Sequence, residues 1–340
     1  MVRLKDIAQL AGVSVMTVSK ALRGEPDVSA STREKVKGLA SQLGYVPDCS
    51  AQGLRSRTTK LLGLVIPATT NPIYARMVFA VEERAHVLGY DVIIAQTQNL
   101  PEREEACIRR LLSRHVDGML ITPVYRFEAE ARIYQEIVHR KVPAVLLGAP
   151  APFCKNFISI EIEEVTASYN VTKHLLALGH KRIAYFTGPV AAPWAHERFE
   201  GYRRALREAG LEVDDKLVFQ AGNTLEDGAK AALQMLNENC HPTAIQAVSD
   251  LVAIGGAETL LAQGIRIPED ISMAGYGNIL TAEFYRVPLT TVSQPKYRLA
   301  VAAMETLMNL IRGEPAASRR LPAELVQRKS TAAPQAPITA

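Results

Sequence analysis

The sequence contains few cysteines, and their spacing argues against a disulfide framework or a structural metal site. Its four cysteines, Cys49, Cys107, Cys154 and Cys240, form no CxxC pair and have no histidine at metal-ligand spacing. Such a distribution suits a reducing compartment and does not fit structural zinc. We therefore expect inert thiols and no bound metal.

Long apolar runs are also missing. No stretch approaches the roughly 20 uninterrupted apolar residues of a membrane-spanning helix. The first residues carry Asp6 and Gln9 where a secretory signal would have its apolar core. We expect a cytoplasmic chain with no membrane partner. Its 340 residues, 48% hydrophobic and 22% charged, are enough for two or three compact units.

Common enzyme signatures are absent as well. The sequence has no GxxxxGK(S/T) phosphate loop, no GxGxxG after its first predicted strand, no GxSxG elbow and no HExxH motif. Its seven histidines are scattered. His174 and His180 flank a predicted helix end, where we expect a structural role. We predict no catalytic residue and no cofactor.

Positive charge is concentrated near the N-terminus. Residues 1–60 contain ten Lys or Arg and five Asp or Glu, whereas the rest of the chain contains 29 basic and 30 acidic residues. A small basic unit on a near-neutral body is typical of a polyanion-binding domain attached to a body with another task.

Three short helices are predicted within the basic segment. Residues 4–11 have apolar positions at helical spacing and end at Gly12, after which Ser14 can cap a second helix. A third helix is predicted to open with a capping box formed by Ser31 and Glu34. This order is that of a helix-turn-helix, whose second helix lies in the DNA major groove. A three-helix unit that only packs on the body is the alternative.

One face of the second predicted helix carries residues suited to contact duplex DNA. The hydroxyls of Thr17 and Ser19 can bond phosphates, and Lys20 can reach a phosphate or a guanine edge. Val15 and Met16 can contact thymine methyl groups. These five residues are therefore predicted to contact double-stranded DNA.

The segments VRLKDIAQLAGVSVMTVSKALRG and LGYVPD resemble the head of the LacI/GalR family of bacterial transcription regulators. The pattern (I/L)xDIAxxAGVSxxTVSxxL and a later LGYxP are the specific motifs, and the match is nearly free of gaps. The resemblance implies that Val15, Met16 and Lys20 read operator bases. It also implies that Thr17 and Ser19 fix the helix against the DNA backbone.

A polar, basic linker, DCSAQGLRSRTTK, occupies residues 48–60 and has one large apolar side chain, Leu54. The resemblance implies a hinge helix that forms on operator DNA, with Leu54 wedged into the minor groove and Arg55 beside it. Gly53 departs from this pattern, because glycine within a helix costs about 1 kcal/mol relative to alanine. We hypothesise that it keeps the hinge disordered off DNA. A flexible tether whose Leu54 packs on the body is the alternative.

From residue 61 onward, short apolar runs alternate with helical stretches, which predicts βαβ units with buried parallel strands. Two series, starting near residues 61 and 182, predict two similar doubly wound lobes. The segments HLLALGHKRIAYFTGP, RFEGYRRAL, IPEDISMAGYGN and PLTTVSQP resemble the family's body, which is periplasmic-binding-protein-like of type I. The predicted strands are 61–67, 91–96, 118–123, 143–148, 182–188, 217–221, 244–249 and 271–277.

The predicted organisation has three parts. Residues 1–47 form an all-α helix-turn-helix DNA-binding domain, residues 48–60 form a hinge helix or linker, and residues 61–340 form a two-lobed α/β domain for effector binding and dimerisation. Two heads on a two-fold axis read a pseudo-palindromic operator, so a homodimer is implied. The tail STAAPQAPITA has no heptad pattern, so no tetramerising coiled coil is expected.

A cleft between two such lobes can close around a small-molecule effector. The resemblance implies these effector-binding positions: Asn71, Ile73, Tyr74, Trp194, Arg198, Asn223 and Asp250. The guanidinium of Arg198 offers a planar fork of donors to hydroxyls or a carboxylate. A salt bridge to Glu197 or Glu200 is its alternative role.

Two glycines depart from the family pattern in this cleft. Gly148 and Gly277 stand where the family usually has pocket aspartates. We hypothesise that the loss of two carboxylates opens space and favours an anionic or aromatic ligand. The sequence as a whole predicts a ligand-responsive, sequence-specific DNA-binding repressor. A doubly wound enzyme, an exported solute-binding protein and a regulator that responds to a protein partner are the alternatives.

Overall fold

The computed structural model describes residues 2–45 and 58–335. Two compact units divide the chain, Met1–Thr59 and Lys60–Ala340, and each has its own core. The predicted features at Cys49, Gly53, Leu54 and Arg55 lie outside the described residues.

Three helices make up the described part of the N-terminal unit: α1 (Leu4–Ala11), α2 (Val15–Arg23) and α3 (Ala30–Gln42). α1 ends where Gly12 adopts a left-handed conformation with φ of +70°. Two residues later Ser14 caps α2, and its hydroxyl accepts a hydrogen bond from the Thr17 amide at 3.1 Å. Buried faces of all three helices meet in one core, which includes Ile7, Ala11, Val18, Ala21 and Val36.

The third helix begins earlier than the sequence pattern predicts. Its cap is Ser29, whose hydroxyl accepts a hydrogen bond from the Thr32 amide at 3.3 Å. The predicted Ser31–Glu34 capping box is therefore wrong, and both residues lie within the helix. Val28, buried in the core of the unit, fixes the point at which the chain enters α3.

The second unit contains twelve strands among its described residues: β1 (Leu61–Ile66), β2 (Asp91–Gln96), β3 (Gly118–Ile121), β4 (Ala144–Leu147), β5 (Ile158–Ile162), β6 (Ile183–Thr187), β7 (Val218–Gln220), β8 (Ala244–Ala247), β9 (Ser272–Ala274), β10 (Thr291–Ser293), β11 (Arg319–Leu321) and β12 (Glu324–Val326). The first lobe has a parallel sheet of order β11-β5-β4-β3-β1-β2. The second has a parallel sheet of order β7-β6-β8-β9. β10 pairs antiparallel with β12.

The α-helices of the described body are α4 (Pro72–Val87), α5 (Pro101–Ser113), α6 (Arg132–His139), α7 (Glu164–Ala177), α8 (Pro193–Glu208), α9 (Leu225–Asn237), α10 (Asp250–Ala262), α11 (Leu280–Phe284) and α12 (Lys296–Arg312). They cover both faces of the sheets. In β1, Leu62 and Leu64 face the core cluster of α4 and α12, whereas Val65 faces that of α5 and α6. Burial on both faces explains why this strand reads as a continuous apolar run.

Within residues 58–335 the chain passes between the lobes three times. It leaves the first lobe after β5, since α7 packs on α8, and it returns through α12, which packs on α4. It crosses again after β11, which pairs with β5, because β12 pairs with β10 beside the second sheet. The lobes are therefore not two successive series as the periodicity predicts, because C-terminal segments complete each of them.

The last described residues bind the second lobe through two histidines, of which His180 is buried and His174 is partly buried. His180 Nε2 lies 2.8 Å from the Ala332 carbonyl oxygen, and His180 Nδ1 lies 2.9 Å from the Thr243 hydroxyl. His174 Nε2 lies 3.0 Å from the Thr331 hydroxyl. Burial lowers the pKa of both imidazoles. These contacts agree with the predicted structural role of both histidines.

The described residues give no sign of a membrane span or a metal site. None of their helices is long and apolar enough to cross a membrane, and they contain no cluster of three or more His, Cys, Asp or Glu residues suited to a metal. Cys107, Cys154 and Cys240 are free thiols.

Candidate DNA-binding surface and ligand cleft

The start of α2 exposes two large apolar side chains. Val15 is 46% exposed and Met16 is 61% exposed, whereas Val18 and Ala21 on the other side of the helix are buried. An exposed apolar pair at the N-terminal turn of a recognition helix can contact thymine methyl groups. The fold therefore leaves the two predicted apolar base contacts accessible.

The predicted phosphate-binding hydroxyls of α2 have local partners. The Thr17 hydroxyl lies 2.8 Å from the Ser14 hydroxyl, at the helix cap. The Ser19 hydroxyl accepts a hydrogen bond from Arg23 Nη1 at 2.6 Å. These bonds are local and exposed, so a phosphate can compete for the same groups.

Lys20 forms an ion pair with Asp27, which follows α2 in the chain. The bond to the Lys20 ammonium lowers the pKa of the Asp27 carboxyl. Both side chains are substantially exposed, so the pair is weak and screened by salt. The sequence analysis did not predict this pair. Residues 1–47 contain four acidic residues, Asp6, Glu25, Asp27 and Glu34, so few partners for Lys20 were available.

Two basic side chains of the head bind backbone carbonyl oxygens within the head itself. Arg33 Nη2 donates to the carbonyl oxygens of Glu25 and Val28 at 2.8 and 3.1 Å, and Lys35 Nζ donates to the carbonyl of Ala11 at 3.0 Å. Positive side chains at helix ends and turns stabilise the terminal carbonyls. The charge excess of residues 1–60 therefore overstates the number of side chains directed at DNA.

A cavity lies between the two lobes of the body, and residues of both lobes line it. Every position that the resemblance assigns to effector binding lies on its wall: Asn71, Ile73, Tyr74, Trp194, Arg198, Asn223 and Asp250. These residues follow β1, β6, β7 and β8, so the carboxyl ends of parallel strands position them. Desolvation raises the pKa of Tyr74 to about 12, so its hydroxyl keeps its proton.

Arg198 is committed to a partner that the sequence did not suggest. Its Nε and Nη2 donate to the two carboxylate oxygens of Glu164 at 2.8 and 3.0 Å, and its Nη1 donates to the Val248 carbonyl at 2.7 Å. Although burial opposes the charged form, the Glu164 carboxylate raises the pKa of Arg198. The guanidinium also stacks 3.7 Å from the Tyr276 ring centroid and 4.6 Å from that of Trp194.

The alternative role predicted for Arg198, a salt bridge to Glu197 or Glu200, named the wrong partners. Glu197 pairs with Arg320, while Glu200 pairs with Arg203 and Arg207. A salt bridge does occupy Arg198, but it comes from α7, 34 positions earlier in the chain. Three of the five N–H donors of the guanidinium, including the Nε–Nη2 fork, are therefore engaged within the protein.

Of the two glycines, Gly148 lines the cleft, whereas Gly277 lies beside the lining residues Ile73 and Asp250. Gly277 has φ of +140°, and a Cβ there would lie 3.2 Å from Ile73 Cδ1 and 3.3 Å from Asp250 Oδ2. Gly148 has φ of +112°, and a Cβ there would lie 3.2 Å from the Tyr125 hydroxyl. A Cβ at either position would press on a neighbouring side chain, and the positive φ favours glycine at both.

The Asp250 carboxylate binds neighbouring groups of the cleft wall. It is buried, its Oδ2 accepts a hydrogen bond from the Ile279 amide at 2.9 Å, and its Oδ1 accepts one from the Thr291 hydroxyl. Burial raises the pKa of its carboxyl. Lys296 donates to the carbonyls of the same loop, and desolvation lowers its pKa to about 8.

The cleft has more acidic residues than the sequence indicated. Its walls include Glu161, Glu164, Glu197 and Asp250 as well as Arg198. The premise of the anionic-ligand hypothesis, a pocket depleted of carboxylates around a free guanidinium, is therefore wrong. The alternating run ISIEI, followed by Glu163 and Glu164, was the signal in the sequence. No strand was predicted there, so the carboxylates of Glu161 and Glu164 were not placed at the cleft.

Family models match both units of the chain. The model described as "Bacterial regulatory proteins, lacI family" matches residues 3–48. The model described as "Periplasmic binding proteins and sugar binding domain of LacI family" matches residues 59–329.

Similar proteins cover nearly the whole chain. The transcriptional regulator DegA of Bacillus subtilis (strain 168) is 33% identical over 328 residues, which are 96% of this chain and 97% of DegA. The transcriptional repressor CytR of Escherichia coli (strain K12) is 31% identical, covering 97% of this chain and 96% of CytR.

Solved structures give the same result. The lac repressor dimer bound to operator and the anti-inducer ONPF has a TM-score of 0.88 and 30% identity, covering 98% of this chain and 99% of that one. The complex of the transcriptional regulator CelR with cellobiose has a TM-score of 0.74 and 31% identity, covering 97% of this chain and 100% of that one.

Proposed function

The chain belongs to the LacI family of bacterial regulatory proteins, and we propose that it is a repressor whose operator affinity is set by a small molecule in the cleft described above. It is a DNA-binding transcriptional regulator with an effector-binding body, and it acts as a homodimer. As such a regulator it works where the chromosome is, in the cytoplasm. The proposed organisation is a DNA-binding domain (1–47), a hinge (48–60) and an effector-binding and dimerisation domain (61–340).

The observation that carries the proposal is the cavity lined by both lobes. A ligand that contacts both lobes stabilises one lobe arrangement over another by the difference in its affinity for the two. Ile73 and Tyr74 belong to the first lobe, while Trp194 and Asn223 belong to the second. We assign direct ligand contacts to these four residues.

Arg198 and Asp250 have a different proposed role. Both line the cleft, but their polar atoms already bind Glu164 and the Ile279–Thr291 region. We assign them to holding the wall in shape, so that the ligand meets a preformed site. The relatives named above are transcriptional regulators, and we propose that this chain likewise has no catalytic step.

On DNA, the proposed contacts come from α2 and from the hinge. Val15, Met16 and Lys20 read bases once Lys20 leaves Asp27, and Thr17 and Ser19 contact the backbone. Leu54 of each subunit wedges into the minor groove at the centre of the operator, with Arg55 beside it. Gly53 keeps the hinge from forming its helix in the absence of DNA.

Selection of DNA sites from a random duplex pool tests this proposal. The full-length protein is expected to enrich a pseudo-palindrome, with affinity that falls steeply as salt rises. Leu54→Ala is expected to lose affinity mainly for that site and little for random DNA. Enrichment of no sequence, or an equal loss on both kinds of DNA, would contradict the proposal.

A further inference from the structure

Four buried polar atoms of residues that line the cleft have no hydrogen-bond partner among residues 2–45 and 58–335: the Thr122 hydroxyl, Glu161 Oε2, Glu197 Oε2 and the Tyr276 hydroxyl. Thr122 and Glu161 are only 5% and 7% exposed. A buried polar group without a partner is costly, and buried oxygens of this kind normally receive a hydrogen bond. Two of the four are carboxylate oxygens, which only accept hydrogen bonds when ionised, whereas the two hydroxyls can also donate.

One arginine serves both glutamates. Arg320 Nη2 donates to Glu197 Oε1 at 2.9 Å and lies 3.0 Å from Glu161 Oε2 as an ion pair without hydrogen-bond geometry. The Arg320 side chain is 43% exposed, so solvent screens its charge. Two carboxylates that share one screened guanidinium leave an excess of negative charge at this part of the wall.

The other charged groups of the wall are balanced. Glu164 and Arg198 neutralise each other through two hydrogen bonds, and both oxygens of Asp250 accept hydrogen bonds. Among the described residues, the carboxylate oxygens of the wall that lack a hydrogen bond are therefore Oε2 of Glu161 and Oε2 of Glu197.

Glu161 and Glu197 stand on different lobes. Glu161 belongs to β5 of the first lobe, and Glu197 belongs to α8 of the second. Arg320 reaches both from β11, close to the point where the chain crosses between the lobes. A ligand group that binds both glutamates therefore joins the two lobes directly.

We propose that the effector presents at least two hydrogen-bond donors on one edge, carried by hydroxyl or amino groups without negative charge, and that Glu161 and Glu197 accept them. The Thr122 hydroxyl supplies a third contact. An anionic ligand is disfavoured, because two carboxylates face it and the Nε–Nη2 fork of Arg198 already binds the Glu164 carboxylate. This inference rests on the proposed function, since it requires a small effector in the cleft.

The test is a binding screen with the full-length protein. The library contains three classes of compound: neutral polyhydroxyl compounds, primary amines and amino-bearing bases, and carboxylates and phosphates. Thermal shift identifies ligands, and titration of Trp194 fluorescence, which reports from the cleft wall, gives Kd. The ligands are expected to fall in the first two classes. Glu161→Gln and Glu197→Gln are each expected to weaken binding about tenfold or more, because each removes a charged acceptor.

Glu200→Gln is the matched control. Glu200 lies on the same helix as Glu197, carries the same charge and is half-exposed, but it pairs with Arg203 and Arg207 rather than lining the cleft. It is expected to leave Kd unchanged. Retained operator binding by each variant shows that it folds. A pH series separates the two sources of donors, since an amine loses affinity above its own pKa and a hydroxyl compound does not.

Ligands from the anionic class alone, or a donor-rich ligand with the same Kd in the wild type and both glutamine variants, would overturn the inference and leave the proposed function intact. If no compound of any class binds while the protein still enriches a pseudo-palindromic site, the effector-controlled function itself fails.

Discussion

Glu164 and Arg198 form a two-bond ion pair in the wall of the cleft, with side chains only 8% and 7% exposed. Glu164 is the first residue of α7, directly after the chain has crossed from the first lobe to the second. The pair therefore fixes the start of the second lobe to the helix that carries Trp194 and Glu197.

Glu164→Ala is expected to destabilise the body strongly, because it leaves the Arg198 guanidinium buried and unpaired. Removing one partner of a buried pair costs roughly 3–5 kcal/mol in free energy of unfolding. Urea unfolding measures the change. Glu200→Ala, which removes a half-exposed carboxylate nearby, should change the value by less than about 0.5 kcal/mol. Similar losses in both variants would show that the pair has no special weight.

Asp27→Asn is expected to strengthen binding to DNA at low salt, because it frees the Lys20 ammonium for a phosphate or a base edge. Glu34→Gln is the control, since it makes the same change in net charge on exposed α3 without touching Lys20. Fluorescence anisotropy with a labelled duplex across a salt series compares the two. Equal gains would assign the effect to net charge alone, and the Lys20–Asp27 pair would then have no role in DNA binding.

Gly277→Ala is expected to lower the free energy of unfolding by about 1–3 kcal/mol, because φ of +140° suits glycine and the new methyl group would press on Ile73 and Asp250. Gly38→Ala provides the contrast. Gly38 lies inside α3 with nothing within 4 Å of a Cβ, so the substitution should stabilise the head by about 0.5–1 kcal/mol. Thermal unfolding followed by circular dichroism records both. A Gly277→Ala variant as stable as the wild type would show that Ile73 moves aside without cost.

Acidification is expected to weaken the body through His174 and His180. Burial lowers the pKa of both imidazoles, so the unfolded chain binds protons at a higher pH than the folded chain does. Stability should therefore fall as the pH drops through about 6.5, the ordinary pKa of histidine. The free energy of unfolding, measured by urea at about pH 7.5 and about pH 5.5, should fall less in His180→Asn than in the wild type. His139→Asn, at an exposed position on α6, should behave like the wild type; if His180→Asn does so too, His180 is not a source of the dependence.

Local patterns predicted the local structure well. The predicted helix 4–11 has the bounds of α1, because amphipathic spacing and Gly12 mark it, and the predicted strand 91–96 has those of β2, because an apolar run marks it. The strands β10, β11 and β12 were not predicted, because their short segments lack the apolar run that marked the equally short β7 and β9.

Local patterns did not predict the contacts among the cleft residues. The resemblance supplied seven positions that all lie on its wall, but it did not supply their partners. Arg320 meets Glu197 across 123 positions of sequence, and Glu164 meets Arg198 across 34. Such pairs depend on the crossings between lobes, which no local periodicity records.

Those three crossings also determine whether one lobe can be exchanged or deleted without the other. Neither lobe corresponds to one continuous stretch of gene, since the first needs both the segment before α7 and the segment from α12 to β11. Truncation near residue 290 would remove an edge strand and a covering helix from one lobe while leaving the main sheet of the other. The lobes must therefore be recombined, truncated or transplanted as one piece, and a single proteolytic cut in any one connection would leave them joined by the other two.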